Sequence, residues 1–127
     1  MNIVIAGGGT GGHLFPALAI ARMLRKTLPG ARVTFVGTVR GIESKVIPRE
    51  GYDLRFIRSE GLVGKSLLNT AKSLLKIPVS IMDSFGILKD IRPDLVIGVG
   101  GYSSGPVLVC AKLMGIPTLI HEQNTVP

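Results

Sequence analysis

Two stretches of this chain share one pattern. Ile3–His13 and Val96–Pro106 each pass from a short apolar run through clustered glycines into the start of a helical pattern. A strand that ends in a tight glycine turn and feeds a helix is the building unit of an open parallel sheet. Two such units in 127 residues leave room for one core and no second domain. With 46% hydrophobic and 18% charged residues, the chain is expected to be globular rather than disordered.

The runs Ile3–Ala6, Val33–Val36, Leu95–Val99 and Thr118–Ile120 are mainly apolar and continuous rather than alternating, the pattern of parallel strands buried on both faces. Leu54–Ile57 is a fifth, less apolar candidate. Between them, Ala17, Ile20, Ala21, Leu24 and Leu28 fall on one helical face, with Pro16 suited to the first turn and Pro29-Gly30 to the stop. A short helix is predicted over Ile42–Glu50 with Gly51 as its cap, and a longer pattern over Leu67–Ile91, kinked or broken at Pro78. The last helix is predicted to follow Gly105-Pro106, with Pro106 at the first helical position, and to end at Gly115. Strand and helix in alternation predict an α/β fold with a doubly wound, Rossmann-like parallel sheet.

Lys and Arg outnumber Asp and Glu by 15 to 8, a net charge of +7. That balance points to an anionic partner: nucleic acid, an acidic membrane surface or a phosphate-bearing substrate. The single cysteine, Cys110, allows no internal disulfide and reads as a buried thiol. Two distant histidines, His13 and His121, give no metal motif. The N-terminus has no basic segment of the signal-peptide kind, and no apolar run reaches membrane-spanning length. A soluble cytoplasmic protein is the expectation.

Three segments carry chemistry. Residues 7–12 hold five glycines around Thr10, including Gly7-x-Gly9-x-x-Gly12. Bare backbone and a helix N-terminus suit a phosphate or diphosphate. A dinucleotide fingerprint also wants a carboxylate after the second strand, where this chain reads Val36-Gly-Thr-Val-Arg40. His13 closes the loop, either as a general base or as a hydrogen-bonding residue that orients the loop. The second segment, Gly98 to Pro106, adds the hydroxyls of Tyr102, Ser103 and Ser104 to a second glycine turn. Two such turns at the carboxyl ends of strands in one sheet are expected to converge on one crevice. The third, His121-Glu-Gln-Asn124, follows the last strand; Glu122 suits a base or a hydroxyl contact, and Asn124 an amide or hydroxyl contact.

A fourth feature is the stretch Lys65–Arg92. Lys65, Lys72, Lys76, Lys89 and Arg92 accompany an apolar surplus that includes Leu68, Leu75 and Phe85. This reads as a membrane-surface element, against the simpler reading of an amphipathic helix packed on the sheet.

The quoted segments closely resemble the MurG family of bacterial N-acetylglucosaminyltransferases. The resemblance rests on residues 7–19, Gly100–Pro106, Gly115-Ile-Pro117 and His121–Asn124, and extends over the whole chain, including Phe35–Thr38 and Ser59–Lys65. It implies transfer of N-acetylglucosamine from UDP-N-acetylglucosamine to lipid I, giving lipid II, by a single inverting displacement. It implies a two-domain glycosyltransferase B fold, of which residues 1–127 would be the N-terminal, acceptor-side and membrane-associating domain, without the C-terminal donor-binding domain. By this resemblance Thr10, Gly11, Gly12 and Asn124 contact the donor. His13, Gly9 and the loop Gly100, Gly101, Tyr102, Ser103, Ser104 and Gly105 meet the acceptor's diphosphate or hydroxyl. His13 is the first candidate base and Glu122 the second. No cofactor and no metal is implied, since helix N-termini can stabilise the leaving diphosphate. The implied location is peripheral, on the cytoplasmic face of the bacterial inner membrane, and the implied patch joins Lys65, Leu68, Lys72, Leu75, Lys76, Phe85 and Lys89. The chain by itself is expected to be inactive.

Three rival readings stand beside this one. A nicotinamide-binding domain lacks its acid after the second strand. A membrane-docking subunit would need a separate donor-binding chain. A nucleic-acid binder would have only six aromatics for base stacking, four Phe and two Tyr.

Overall fold

The structure, a computed structural model, describes residues 1–7, 11–39, 41–58, 67–100 and 104–121; residues 11, 12 and 67–77 are described as backbone only. Among the described residues five strands alternate with four helices: β1 (Asn2–Ala6), α1 (Gly11–Thr27), β2 (Arg32–Gly37), α2 (Glu43–Arg49), β3 (Asp53–Phe56), α3 (Leu67–Ile91), β4 (Leu95–Gly98), α4 (Ser104–Leu113) and β5 (Thr118–Ile120). The strands form one sheet in the order β3-β2-β1-β4-β5, and every pairing is parallel. This is the doubly wound α/β class expected from the sequence. The chain winds outward from β1 through β2 to β3, then returns to β1's other side as β4. The point where the order reverses lies between β1 and β4, the two strands that end in glycine turns.

Alternation along β1 explains the continuous apolar runs. Ile3 and Ile5 pack with Leu14, Leu18, Phe35 and Ile47 on the α1–α2 side. Val4 and Ala6 pack with Val36, Leu88, Val107 and Cys110 on the α3–α4 side. Ile3, Val4, Ile5 and Ala6 are all fully buried, because helices cover both faces. Phe35 and Tyr52 meet edge to face at 5.3 Å, and the Arg25 guanidinium caps the Tyr52 ring at 3.9 Å, ending the core in a cation–π contact. Cys110 is buried as expected; its thiol donates to the Ile81 carbonyl (3.3 Å), and burial raises its pKa.

Four local expectations are corrected. β5 is not buried: all three of its residues are exposed, because an edge strand has a neighbour on one side only. Pro16 lies in the second turn of α1, which begins at Gly11. Pro106 is likewise the third residue of α4, not the first. The long helix runs unbroken through Pro78. Proline removes one intrahelical bond there, and packing of the following turns outweighs that loss. Ser80, Ser84, Ile87 and Leu88 are buried, and Asp83 is gripped by Arg58.

Candidate functional site

β1 and β4 run side by side, with Ala6 opposite Gly98, so the strand ends that lead into the two glycine segments are neighbours. The pairing extends one residue further, where the Val99 N–H donates to the Ala6 carbonyl (2.9 Å). Gly7 then turns at φ +149° and Gly100 at φ +96°, backbone states that favour glycine. A methyl group on Gly7 would stand 2.6 Å from the Gly100 carbonyl oxygen. The first two sequence segments thus meet through bare backbone.

His13 is the third residue of α1 and half-buried. Its ring lies over the Cα of Gly100: a methyl there would stand 2.6 Å from His13 Cδ2 and 2.8 Å from Nε2. The third segment begins beside them, where the His121 N–H donates to the Gly98 carbonyl (2.8 Å). His121 itself is exposed.

Gly98 brings α4 close to the strand end. A side chain there would stand 2.6 Å from Ser104 Oγ, and Ser104 is buried. Ser104 is therefore turned toward the sheet, whereas Gly105 is exposed. Neither α1 nor α4 carries an acidic side chain in its first turn. No carboxylate in the first turn of either helix therefore offsets its positive end.

α2 differs, and it holds the residue that sequence reasoning passed over. Glu43 opens α2 but folds back to the end of β2, 1% exposed. Its Oε1 accepts from the Thr38 N–H (2.9 Å). A methyl on Gly37 would stand 2.6 Å from the same oxygen, and one on Gly41 would also collide with the carboxylate. A carboxylate does reach the end of the second strand, but it is enclosed by that loop and closed to a ribose. The glycines flanking it, Gly37 and Gly41, were the available signal.

Of the other predicted residues, Gly9, Thr10, Gly101, Tyr102, Ser103, Glu122, Asn124 and Lys65 lie outside the described residues. Gly11 and Gly12 are described as backbone of α1, and Leu68, Lys72, Leu75 and Lys76 as backbone of α3. Phe85 and Lys89 are exposed on the later turns of α3, with Met82 71% exposed beside them. Among the described residues no helix is long and apolar enough to cross a membrane. No group of three or more His, Cys, Asp or Glu among them is placed to hold a metal ion.

Comparison with known proteins accords with this geometry. The chain is 53% identical, over its whole length, to the UDP-N-acetylglucosamine–N-acetylmuramyl-(pentapeptide) pyrophosphoryl-undecaprenol N-acetylglucosamine transferase of Myxococcus xanthus, covering 33% of that protein. It is 54% identical to the transferase of the same name from Thermodesulfovibrio yellowstonii, again over the whole chain and 35% of the relative. The chain thus spans about a third of the length of the curated relatives it matches. Among solved structures, Acinetobacter baumannii MurG superposes with a TM-score of 0.83 at 34% identity, covering 98% of this chain and 36% of that one. The resemblance read from the sequence is borne out, as is the fold of the N-terminal half of a glycosyltransferase B enzyme. The model of the glycosyltransferase family 28 N-terminal domain matches residues 3–127, and the chain belongs to that family.

Proposed function

We propose that this chain is the acceptor-side part of a hexosyltransferase that moves N-acetylglucosamine from UDP-N-acetylglucosamine to lipid I, giving lipid II. The observation that carries the reading is the seating of His13 on Gly100 at the switch point between β1 and β4. It supports the reading because the imidazole lies beside the start of α1, and neither α1 nor α4 has an acidic residue in its first turn, which suits a diphosphate. Similarity over the whole chain to transferases of that name supports the substrate assignment.

In this mechanism the acceptor hydroxyl attacks the sugar's anomeric carbon from the face opposite the nucleotide. His13 takes the hydroxyl proton as the new C–O bond forms and the bond to the UDP oxygen breaks, so the product is inverted. Glu122 is the second candidate for that proton. Backbone N–H groups at the start of α1 offset the charge developing on the leaving diphosphate. Thr10, Gly11, Gly12 and Asn124 serve the donor; Gly9 and the 100–105 loop serve the acceptor. The remaining nucleotide contacts come from polypeptide outside this chain. The lipid-borne acceptor brings the domain to an anionic membrane surface on the cytoplasmic face of the inner membrane. Phe85 and Lys89, with Lys65, Leu68, Lys72, Leu75 and Lys76, form the docking patch.

The test is transfer of labelled sugar from UDP-N-acetylglucosamine to lipid I by the full-length protein carrying this domain. Residues 1–127 alone are expected to transfer none. Absence of transfer by the full-length protein, or transfer by the 127 residues alone, overturns the reading.

A further inference from the structure

A proton-accepting imidazole must be held at one angle, and the molecule contains a seat for it. The Gly100 carbonyl lies over the bare Cα of Gly7, and the His13 ring lies over the bare Cα of Gly100. The distances leave no room for a substituent: the added carbon on Gly100 would stand 2.6 Å and 2.8 Å from two ring atoms, well inside van der Waals contact. Both glycines have positive φ, so the backbone itself fixes where the seat points.

We propose that Gly100 is a positioning residue for His13, its missing side chain forming the flat surface against which the Cδ2–Nε2 edge of the imidazole rests. This rests on the general-base reading of His13. It gives Gly100 a task different from the diphosphate contact that the family resemblance implies. The seat ties α1 to β4, so the base from one glycine turn is aimed by the backbone of the other. Any side chain at position 100 pushes the ring off its angle, and a base misplaced by about 1 Å loses on the order of a hundredfold in rate.

The experiment uses the full-length protein and Gly100→Ala in two backgrounds, wild type and His13→Ala. Gly51→Ala and Gly115→Ala are the controls. Their φ values are +81° and +75°, with nothing within 4 Å of an added methyl, so they carry backbone strain without crowding. In the wild-type background Gly100→Ala is expected to lower Tm more than either control. In the His13→Ala background, where the ring is gone, it is expected to lower Tm no more than the controls do. In 15N-histidine-labelled protein the ring-nitrogen signals of His13, assigned by their loss in His13→Ala, move with Gly100→Ala and stay with the controls. On lipid I, Gly100→Ala lowers kcat on the order of a hundredfold with little change in KM, and adds no further loss once His13 is alanine.

Equal Tm loss in both backgrounds, failure to fold in both, or unmoved ring signals overturn the seat. A raised KM at unchanged kcat also overturns it and returns Gly100 to diphosphate binding. If His13→Ala itself leaves kcat intact, the general-base reading fails, while the Tm coupling and the ring signals still decide the seat.

Discussion

Arg58 holds Asp83 with both its side chain and its backbone: Nη2 donates to Oδ1 (2.8 Å), Nε to Oδ2 (3.0 Å), and the Arg58 N–H to Oδ2 (2.9 Å). Ser80 adds a hydroxyl that donates to the Arg58 carbonyl. Arg58, two residues after β3, is thereby clamped to α3 at Asp83, five residues past Pro78. The Arg58 side chain is the largest influence on Asp83 and draws its pKa below the ordinary 3.8, against a smaller opposing effect of burial.

The clamp has a pH signature. A carboxylate whose pKa is lower in the folded than in the unfolded state adds stability that is complete above the unfolded value of 3.8 and fades as pH falls through the folded value. Arg58, whose pKa the hydrogen bond to Asp83 raises further above its already high ordinary value, stays charged throughout, so its contribution is constant through the acidic range. Asp83→Asn is expected to lower Tm at pH 7. The gap from wild type narrows on acidification below pH 3.8 and closes once Asp83 is protonated in both states. Thermal melts of the two proteins across that range check it; a gap independent of pH would show that the clamp's ion pair contributes nothing.

Glu43→Ala leaves the Thr38 N–H without its acceptor inside a closed loop. A buried hydrogen bond to a charged group contributes about 1.5–3 kcal/mol, and a loss of that size is expected in denaturant unfolding. Glu43→Gln keeps an acceptor oxygen and loses less. Equal losses would mean that the negative charge, not the hydrogen bond, organises the loop.

His13→Ala in the full-length protein is expected to lower turnover by roughly a hundred- to ten-thousandfold, the range for removal of a general base. Tm should change little, because the ring rests against open backbone rather than within the apolar core. Steady-state kinetics with lipid I measure this. A loss of tenfold or less moves the base to Glu122.

Vesicle co-sedimentation tests the α3 patch. Basic residues near an anionic surface contribute about 1 kcal/mol each, and salt screens the effect. Binding to anionic vesicles is expected to weaken with salt, with removal of anionic lipid, and in the Lys72→Glu/Lys76→Glu double variant. Wild-type protein that stays in the supernatant at low salt with anionic vesicles would leave α3 as an ordinary sheet-packing helix.

The strands next to the centre were legible because burial on both faces leaves a local mark. Ile3–Ala6 and Val33–Val36 are apolar at every position but Thr34, and that residue is itself buried. Gly51 and Gly115 mark the ends of α2 and α4 as read, each with positive φ. The glycine turns at Gly7 and Gly100 were equally visible, since only a backbone that must turn or approach closely uses so many glycines.

What the sequence by itself determined was the set of strand–turn–helix units and the family motif they carry, because covalent order and apolar periodicity are local properties. Tertiary structure decided the rest. Thr118–Ile120 reads like a core strand, yet it is exposed because it stands at the edge of the order β3-β2-β1-β4-β5. Pro78 reads like a kink or a break, and packing of later turns carries the helix through it without a break. Glu43 reads like an ordinary first-turn acid until its loop closes on it. The meeting of His13 with Gly100 joins two turns that only the crossover from β3 back to β4 brings side by side. No local pattern records which strand becomes whose neighbour, since that is settled by how both faces of the sheet are covered at once.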